Sequence, residues 1–273
     1  MRSIEVLVAA MNQKDAELYY KLGLKSNTVI ANQTDSYWYK EYIIEDHSVK
    51  VVSTNDRGVG KNRNVALLNA SGDICVLGDD DLMYPPNYQE IIRCAFEELP
   101  DADIIVFNIV NREIPDQRPI TKIKRVGIFN FTRYGAPRIA FKRESLLKAN
   151  ILFSFLFGGG AKYSSGEDTI FLREALKKGL KIYAYPMKIA DVIKKISTWF
   201  TGYNEKFFFD KGALIATLFP KMKYLAGIYI AIRFKSSSKF TYLQALKHVF
   251  KGIKGFREGA SYGEWQEKTA DCK

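Results

Sequence analysis

Three consecutive aspartates are the residues of this sequence best suited to chemistry. Asp79, Asp80 and Asp81 follow an apolar run at 74–77 and precede Pro85 and Pro86. Adjacent carboxylates repel each other, so a cation should offset their charge, and a hard divalent ion such as Mg²⁺ or Mn²⁺ is the natural candidate. The alternative is a solvated acidic turn that caps the following helix.

A basic, glycine-containing segment at 55–64 is the second candidate. It reads Asn-Asp-Arg-Gly-Val-Gly-Lys-Asn-Arg-Asn, follows a predicted strand and opens a predicted helix. Its glycines, Gly58 and Gly60, allow the backbone to approach a ligand closely, and its three cations suit phosphate or a base carbonyl. An ordinary basic helix start is the alternative.

An acidic pair at the start of a later helix is the third candidate. Glu167 and Asp168 follow Gly166, and a glycine run at 158–160 lies just before them. A carboxylate there suits a general base, and the glycines suit a mobile lid. A simple helix N-cap is the alternative.

The elements that must position these residues follow from hydrophobic periodicity. Apolar runs predict strands at 4–10, 28–32, 49–53, 73–77, 103–108 and 181–185, and helical spacing predicts helices at 13–23, 62–69, 85–99 and 168–178. Strands that alternate with helices predict an α/β fold with a mostly parallel sheet covered on both faces. Ligands of such sheets bind beyond the carboxyl ends of the strands, where the three candidates lie. The segment 109–165 shows no regular pattern, and aromatic, basic helices are expected from 204 onward.

Composition excludes several classes of function. The chain has 273 residues, 47% of them apolar, which suits one large domain with or without a small appendage. Three scattered cysteines and two histidines predict reduced thiols in a cytoplasmic protein, and they argue against a zinc site or a histidine-based catalytic triad. Neither a signal peptide nor an uncharged apolar run of about 18 residues is apparent.

The order and spacing of the three candidates resemble the inverting family-2 glycosyltransferases of the GT-A (Rossmann-like) fold. The resemblance covers residues 3–200 and rests on Arg63-Asn64, Gly72-Asp73, Asp80-Asp81 with Pro85, and Glu167-Asp168. Residues 197–199, 202–206 and 210–212 resemble a subgroup associated with bacterial capsule or surface polysaccharide synthesis. The resemblance implies a catalytic domain at 1–203, with a nucleotide-sugar-binding half at 1–110 and an acceptor half at 111–203, and a basic helical extension at 204–273.

The resemblance also implies roles for individual residues. Asp81 would bind the divalent cation that bridges the donor diphosphate, Asp80 would contact the ribose or the metal, and Asp168, beside Glu167, would deprotonate the acceptor. Gly78 stands where the family often has an aspartate, which leaves the part played by Asp79 open. Arg63, with Asn32 or Asp35, would lie near the uracil, although Asp35 replaces the acidic cluster of many relatives. The other predicted donor contacts are Ala10, Asn12, Arg57, Gly58, Lys61 and Asn64, and the predicted acceptor contacts are Gly159, Gly160 and Trp199.

The implied reaction moves a hexose from a UDP-sugar to a saccharide acceptor carried on a lipid. A sugar nucleotidyltransferase is the competing enzyme, but it would need a glycine-rich loop after the first strand, where this chain has Ala-Ala-Met-Asn-Gln at 9–13. A non-enzymatic basic module that binds a membrane or nucleic acid is the third possibility.

Positive charge is concentrated near the C-terminus. Residues 221–257 contain nine Lys or Arg and no Asp or Glu, whereas the whole chain has a net charge of +11. Amphipathic helices at 225–232 and 241–251 would form an interfacial anchor on an anionic membrane, at the inner face of the cell membrane. A solvated basic face on a packed helix is the alternative. Nucleic acid is not an expected partner because no recognition motif accompanies the charge.

Overall fold

The computed structural model of the protein describes residues 2–111, 118–193 and 202–270. Its first half runs β1 (Ile4–Met11), α1 (Glu17–Lys21), β2 (Asn27–Gln33), β3 (Trp38–Ile44), β4 (His47–Thr54), α2 (Val59–Leu68), β5 (Ile74–Asp79), β6 (Leu82–Met83), α3 (Tyr88–Glu98) and β7 (Ile104–Val110). Its second half runs β8 (Lys124–Val126), β9 (Ile139–Lys142), α4 (Arg143–Ala149), α5 (Glu167–Lys177), β10 (Ile182–Val192), α6 (Glu205–Leu218), α7 (Lys223–Arg233), α8 (Tyr242–Arg257) and α9 (Tyr262–Ala270). Two short 3₁₀ turns, Phe131–Arg133 and Ala136–Arg138, precede β9.

The strands of the described residues form one mixed sheet in the order β3-β4-β2-β1-β5-β9-β7-β10-β6, with β8 beside β10. The central pairs β4–β2, β2–β1 and β1–β5 are parallel, as are β7 and β10. β3, β6, β8 and β9 run antiparallel to their neighbours. The predicted α/β fold with a mostly parallel central sheet is therefore confirmed.

The sheet is buried on both faces. Alternate residues of β1 point to opposite sides: Leu7 joins a core beneath α2, α4 and α5, whereas Val6 and Val8 join a second core beneath α1 and α3. Because both faces are covered, residues 6–11 of β1 and 74–77 of β5 are continuous apolar runs, which is typical of parallel sheets between helices. Helices thus cover both faces, as predicted.

Four strands of the sheet were not predicted, namely β3, β6, β8 and β9. The edge strand β3 is half exposed and rich in aromatic residues, and it pairs antiparallel with β4. The four-residue strand β9 lies in the irregular segment 109–165 and inserts between β5 and β7. The last predicted strand, at 181–185, continues to Val192.

The C-terminal helices share a core with the sheet. Phe209 and Leu214 of α6 and Trp265 of α9 belong to the core beneath α5. The predicted domain boundary between 203 and 204 therefore falls inside a continuous core, and the division itself stays a prediction. Among the described residues, no helix is both long and apolar enough to cross a bilayer.

Candidate active site

A cavity of about 700 Å³ opens at the carboxyl ends of β1, β2, β5 and β10. Its walls bring together all three sequence candidates, although Arg63 and Glu167 are 104 residues apart along the chain. The cavity is lined by Ala9, Ala10, Met11, Gln33, Val59, Asn62, Arg63, Asp79, Asp80, Asp81, Asn111, Gly135, Ala136, Pro137, Gly159, Ser164, Ser165, Gly166, Glu167, Asp168, Thr169, Val192 and Lys211.

Arg63 connects the two acidic candidates. Its guanidinium donates to Glu167 Oε1 at 2.6 Å and to Asp79 Oδ1 at 2.9 Å, and only 5% of its side chain is exposed. Burial alone would lower the pKa of Arg63, but the two carboxylates outweigh it and raise the pKa. The predicted uracil contact is thus a permanently charged bridge between two walls of the cavity.

The glycines before Arg63 serve the protein's own packing. Gly58 has φ +116°, and its N–H donates to Gln33 Oε1 at 3.0 Å. A Cβ on Gly60 would lie 2.1 Å from the Ser154 carbonyl oxygen, and the Val59 N–H donates to the Gly159 carbonyl at 2.9 Å. The close backbone approach expected for a ligand is therefore used here by the loop at 154–160.

Two predicted donor contacts hold loops in place. Asn64 exchanges hydrogen bonds with the backbone N–H and C=O of Phe153, at 2.8 and 2.9 Å. Asn32 bonds both backbone groups of Gln13 at 2.8 Å, and its amide also donates to Ser53. Neither asparagine lines the cavity, because each amide is turned to the backbone it supports.

Asn62 is a cavity residue that the motif analysis did not single out. Its amide nitrogen donates to the Ala10 carbonyl at 3.1 Å, which ties α2 to the end of β1. Its side-chain oxygen is buried and has no hydrogen-bond partner among the described residues. A buried acceptor at a cavity wall suits a ligand that donates a hydrogen bond.

The aspartate triplet forms the turn between β5 and β6. Asp79 ends β5, and the Asp81 carbonyl accepts from the Ile193 N–H at 2.7 Å. All three residues line the cavity. The neighbouring Gly78 has no room for a side chain, because a Cβ there would lie 2.9 Å from the Tyr84 hydroxyl. The absence of the family's aspartate at this position therefore has a steric reason.

The triplet fits a divalent ion only in part. Among the residues that the structure describes, no three His, Cys, Asp or Glu side chains are grouped closely enough to hold a metal alone. Mg²⁺ and Mn²⁺ sites commonly use one or two carboxylates and take their other ligands from substrate phosphates and water. Because the carboxylates of the triplet lie in a turn at an open cavity, their oxygens are suited to such a shared metal site.

Glu167 and Asp168 differ sharply in their surroundings. Glu167 is buried and receives hydrogen bonds from Arg63 and from the Gly166 N–H. Asp168 is partly exposed at the cavity, and one of its oxygens accepts from the N–H and hydroxyl of Thr169. Burial, followed by the charge of Glu167, raises the pKa of Asp168 to about 6, although Arg63 and Thr169 oppose the rise. Asp168 is therefore ionised near neutral pH yet basic enough to accept a proton.

Helix α6 supports the loop that leads to this pair. Asp210 accepts from the N–H and hydroxyl of Ser164 at 3.0 and 2.6 Å, and Lys211 Nζ donates to the Ser165 hydroxyl at 3.2 Å. Gly166 has φ +115°, and a Cβ there would lie 2.5 Å from a methyl of Leu214. Three successive loop residues thus rest on one helix.

Lys211 itself lines the cavity, and motif analysis did not assign it to the site. Burial lowers the pKa of Lys211, while the charges of Asp168, Asp210 and Glu167 oppose this. The triplet Asp210-Lys211-Gly212 belonged to the subgroup resemblance, and it was the one sequence signal for this contact.

Other predicted site residues lie outside the cavity lining. Arg57 forms an exposed ion pair with Asp35, and Lys61 pairs with Asp56 at 3.2 Å. Asn12, with φ +56°, and Gly160, with φ +77°, occupy the left-handed region of neighbouring loops. Trp199 lies outside the described residues. The predicted residues that do line the cavity are Ala10, Arg63, Asp79, Asp80, Asp81, Gly159, Glu167 and Asp168.

Comparison with known structures identifies the same fold. Residues 1–349 of S. aureus TarS in complex with UDP-GlcNAc match with a TM-score of 0.62 at 15% identity, over 95% of this chain and 93% of that one. The complex of the same fragment with UDP gives a TM-score of 0.60 at 14% identity and the same coverage. A longer S. aureus TarS structure matches with a TM-score of 0.55 at 14% identity, over 93% of this chain and 42% of that one.

Comparison of sequences identifies the family. Curated proteins give no match to this chain. The family model described as Glycosyl transferase family 2 matches residues 36–180, which span the segment from β3 to α5 and include Arg63, the aspartate triplet and Asp168. The chain belongs to Glycosyl transferase family 2 and is a glycosyltransferase.

Proposed function

We propose that this glycosyltransferase is a metal-dependent, inverting enzyme that moves a hexose from a UDP-sugar to a saccharide acceptor. One observation carries the proposal: a single cavity brings the carboxylate turn at 79–81 together with Asp168, whose pKa is raised to about 6. Such a transfer needs a group that holds the metal ion and a general base that takes the proton of the acceptor.

The donor would bind on the side of the cavity formed by β1, β5 and α2. Solved structures of S. aureus TarS, which has a similar fold, contain UDP-GlcNAc and UDP, and they support a UDP-sugar as the donor. Asp80 and Asp81 would hold the divalent ion, which offsets the negative charge of the leaving diphosphate when it is bound. The buried Asn62 oxygen offers one further acceptor for the nucleotide sugar.

Asp168 would act on the acceptor. The acceptor hydroxyl oxygen attacks the anomeric carbon as its proton passes to the Asp168 carboxylate, and the bond between that carbon and the diphosphate oxygen breaks, which releases UDP. A single displacement of this kind inverts the anomeric centre. Glu167 is unsuited to the same task because Arg63 and Gly166 occupy its oxygens.

The acceptor is proposed to be a lipid-linked saccharide in bacterial capsule or surface polysaccharide synthesis. Support comes from the subgroup resemblance of residues 202–206 and 210–212, and α6, which carries most of them, supplies Lys211 to the cavity. Such an acceptor would place the enzyme at the inner face of the cell membrane as a peripheral protein.

Calorimetry with UDP, in the presence and absence of Mn²⁺ or Mg²⁺, tests the donor and the metal together. We expect UDP to bind more tightly with the ion, and the Asp80→Asn/Asp81→Asn variant to lose that enhancement. The control is Asp101→Asn, since Asp101 is exposed and lies outside the cavity lining. Equal UDP affinity with and without either ion would refute metal dependence. A separate experiment, the hydrolysis of several nucleotide sugars, would identify the hexose.

A further inference from the structure

The outward face of helix α7 is apolar although it meets solvent. Leu225, Ile228, Tyr229 and Ile232 follow one another at i, i+3, i+4 and i+7, and they are 64%, 37%, 61% and 60% exposed. This spacing places them in a single stripe along the helix. Soluble proteins normally turn such a stripe toward the core, and a large exposed apolar surface marks a site of interaction. These four residues form the α7 stripe.

The opposite face of α7 packs against α8. Gly227 and Ala231 are buried, and a Cβ on Gly227 would lie 3.2 Å from the side chains of both Val249 and Phe250 of α8. Tyr224 also makes an edge-to-face contact with Phe250, with ring centroids 5.4 Å apart. The α7 stripe is therefore additional to the surface that α7 needs for folding.

Helix α8 does not share this property. Its apolar residues Ala245, Val249 and Ile253 are buried against α6 and α7. The backbones of α6 and α8 approach so closely that a Cβ on Gly252 would lie 1.9 Å from the Phe209 carbonyl oxygen. The sequence predicted a pair of interfacial helices, but the apolar side of α8 is core, which leaves α7 as the exposed member.

The positive charge around the α7 stripe favours an anionic lipid surface over a second copy of the chain as its partner. Lys221, Arg233 and Lys235 are exposed and flank the stripe along the chain, and residues 221–257 contain no acidic side chain. A twofold contact between two copies would bring this basic surface against itself, which is unfavourable. Phosphate groups of anionic lipids complement the cations, and acyl chains complement the stripe.

We propose that α7 lies in the interface of an anionic membrane, with the α7 stripe inserted below the headgroups and Lys221, Arg233 and Lys235 on lipid phosphates. An 11-residue helix is too short to span a bilayer, so this contact holds the protein on the surface. The proposal deepens the proposed function because it names the face of the protein that meets the membrane. It rests on the proposed function in one respect, since a lipid-linked acceptor is the reason for the enzyme to bind a membrane. Vesicle binding itself is measured without any sugar.

Flotation of the full chain with vesicles tests the proposal. We expect binding to vesicles that contain phosphatidylglycerol and little binding to pure phosphatidylcholine. Leu225→Ser/Ile228→Ser/Ile232→Ser should weaken binding by about tenfold or more, because the variant loses three inserted side chains. The matched control is Ile43→Ser/Leu68→Ser/Leu147→Ser, which removes three apolar side chains that are 74%, 71% and 54% exposed and lie far from the α7 stripe in sequence.

A second set of variants tests the charges. Lys221→Gln/Arg233→Gln/Lys235→Gln should weaken binding to anionic vesicles by about 100-fold, since each cation near the surface contributes about a factor of five. The control Lys21→Gln/Lys148→Gln/Lys177→Gln removes the same charge from exposed lysines in α1, α4 and α5 and should bind as the parent does.

Three outcomes would overturn the proposal. The first is unchanged flotation of the α7 variants, and the second is equal weakening by the distant lysine control. The third is a stable dimer of the parent chain that the serine variant dissociates, because a second copy would then cover the stripe. UDP calorimetry on the same variants keeps the two proposals apart, since loss of vesicle binding with normal UDP affinity concerns α7 alone.

Discussion

The two sides of the active-site cavity are built in different ways. The side that presents Asp79, Asp80 and Asp81 is built mainly from α2, β5 and the turn after β5, which follow one another within residues 59–81. The side that carries Asp168 consists of the first turn of α5 and the loop before it, and this loop is held by α6, some 46 residues further along the chain. Arg63 joins the two sides through its paired hydrogen bonds. Substitutions on each side should therefore separate donor binding from transfer.

Asp168→Asn should give the largest effect. The variant keeps the shape of the side chain but cannot accept a proton, so transfer should fall on the order of a thousandfold. UDP affinity should stay the same, because the donor side is untouched. Steady-state transfer rates and UDP calorimetry measure the two quantities, with Asp101→Asn as an exposed control. Turnover of Asp168→Asn close to that of the parent would remove Asp168 as the base.

Arg63→Gln tests the link between the two sides. Without the guanidinium, Asp79 and Glu167 lose their common partner. Among the residues that the structure describes, the buried Glu167 carboxylate then keeps only the hydrogen bond from the Gly166 N–H. Loss of one member of a buried charge network costs about 3–5 kcal/mol of unfolding free energy. Denaturation with urea measures this loss. The UDP affinity and the transfer rate should both fall.

Arg57→Gln is the matched control for that variant. Arg57 also pairs with an aspartate, but its side chain is 54% exposed and that of Asp35 is 94% exposed. Exposed pairs contribute about 0–1 kcal/mol, so the unfolding free energy should hardly change. Equal losses in the two variants would mean that the buried bridge has no special role.

The pH dependence of transfer should follow Asp168. Because the carboxylate must be ionised to accept a proton, and its pKa is raised to about 6, the rate should fall about tenfold at one pH unit below that value. Rate profiles between pH 4.5 and 8 on the parent chain measure this, and a rate that stays level down to pH 4.5 would contradict the assignment.

The same pKa makes an opposite prediction for stability. The folded state holds its proton up to about pH 6, whereas the unfolded chain releases it near the ordinary value of 3.8, so the group's stabilising contribution is lost as pH rises through this window. Asp168→Asn should therefore be more stable than the parent at pH 7.5, by an amount on the order of 1 kcal/mol, and should show no advantage at pH 4. Thermal melts at the two pH values measure the difference.

The contrast between the two sides also explains what the sequence predicted. The parallel strands and the residues at their carboxyl ends follow from local hydrophobic patterns, which is why Ala10, Arg63 and Asp79 could be placed near one another. The support of the loop at 164–166 by Asp210, and the entry of Lys211 into the cavity, depend on packing between distant segments. No local period encodes such contacts.

Residues with more than one possible partner were the hardest to assign. Arg57 and Lys61 have the charge for phosphate, yet in the structure they form exposed pairs with Asp35 and Asp56. Asn64 has a polar amide in the right motif, yet the Phe153 backbone uses both of its hydrogen-bonding groups. Residue type predicts what a side chain can bind, whereas tertiary packing decides which partner it meets.

The smallest effect should come from Asp210→Ala, which loosens the loop without touching the reacting groups. Asp210 is 2% exposed, and its carboxylate accepts from both the N–H and the hydroxyl of Ser164. Its loss should let Asp168 depart slightly from a productive position, which lowers kcat by about fivefold and leaves UDP affinity unchanged.

The control is Glu258→Ala, an exposed acid at the end of α8 that pairs only loosely with Lys254 at 3.9 Å. Ser164→Ala removes the hydroxyl contact but keeps the N–H contact, so its effect on kcat should lie between those of the control and Asp210→Ala. Asp210→Ala and Ser164→Ala both leave the donor side intact. If UDP affinity nevertheless falls as much as kcat in these two variants, the two sides are coupled through more contacts than those of Arg63. Unchanged kcat in Asp210→Ala would mean that α6 contributes stability to this loop and no positioning.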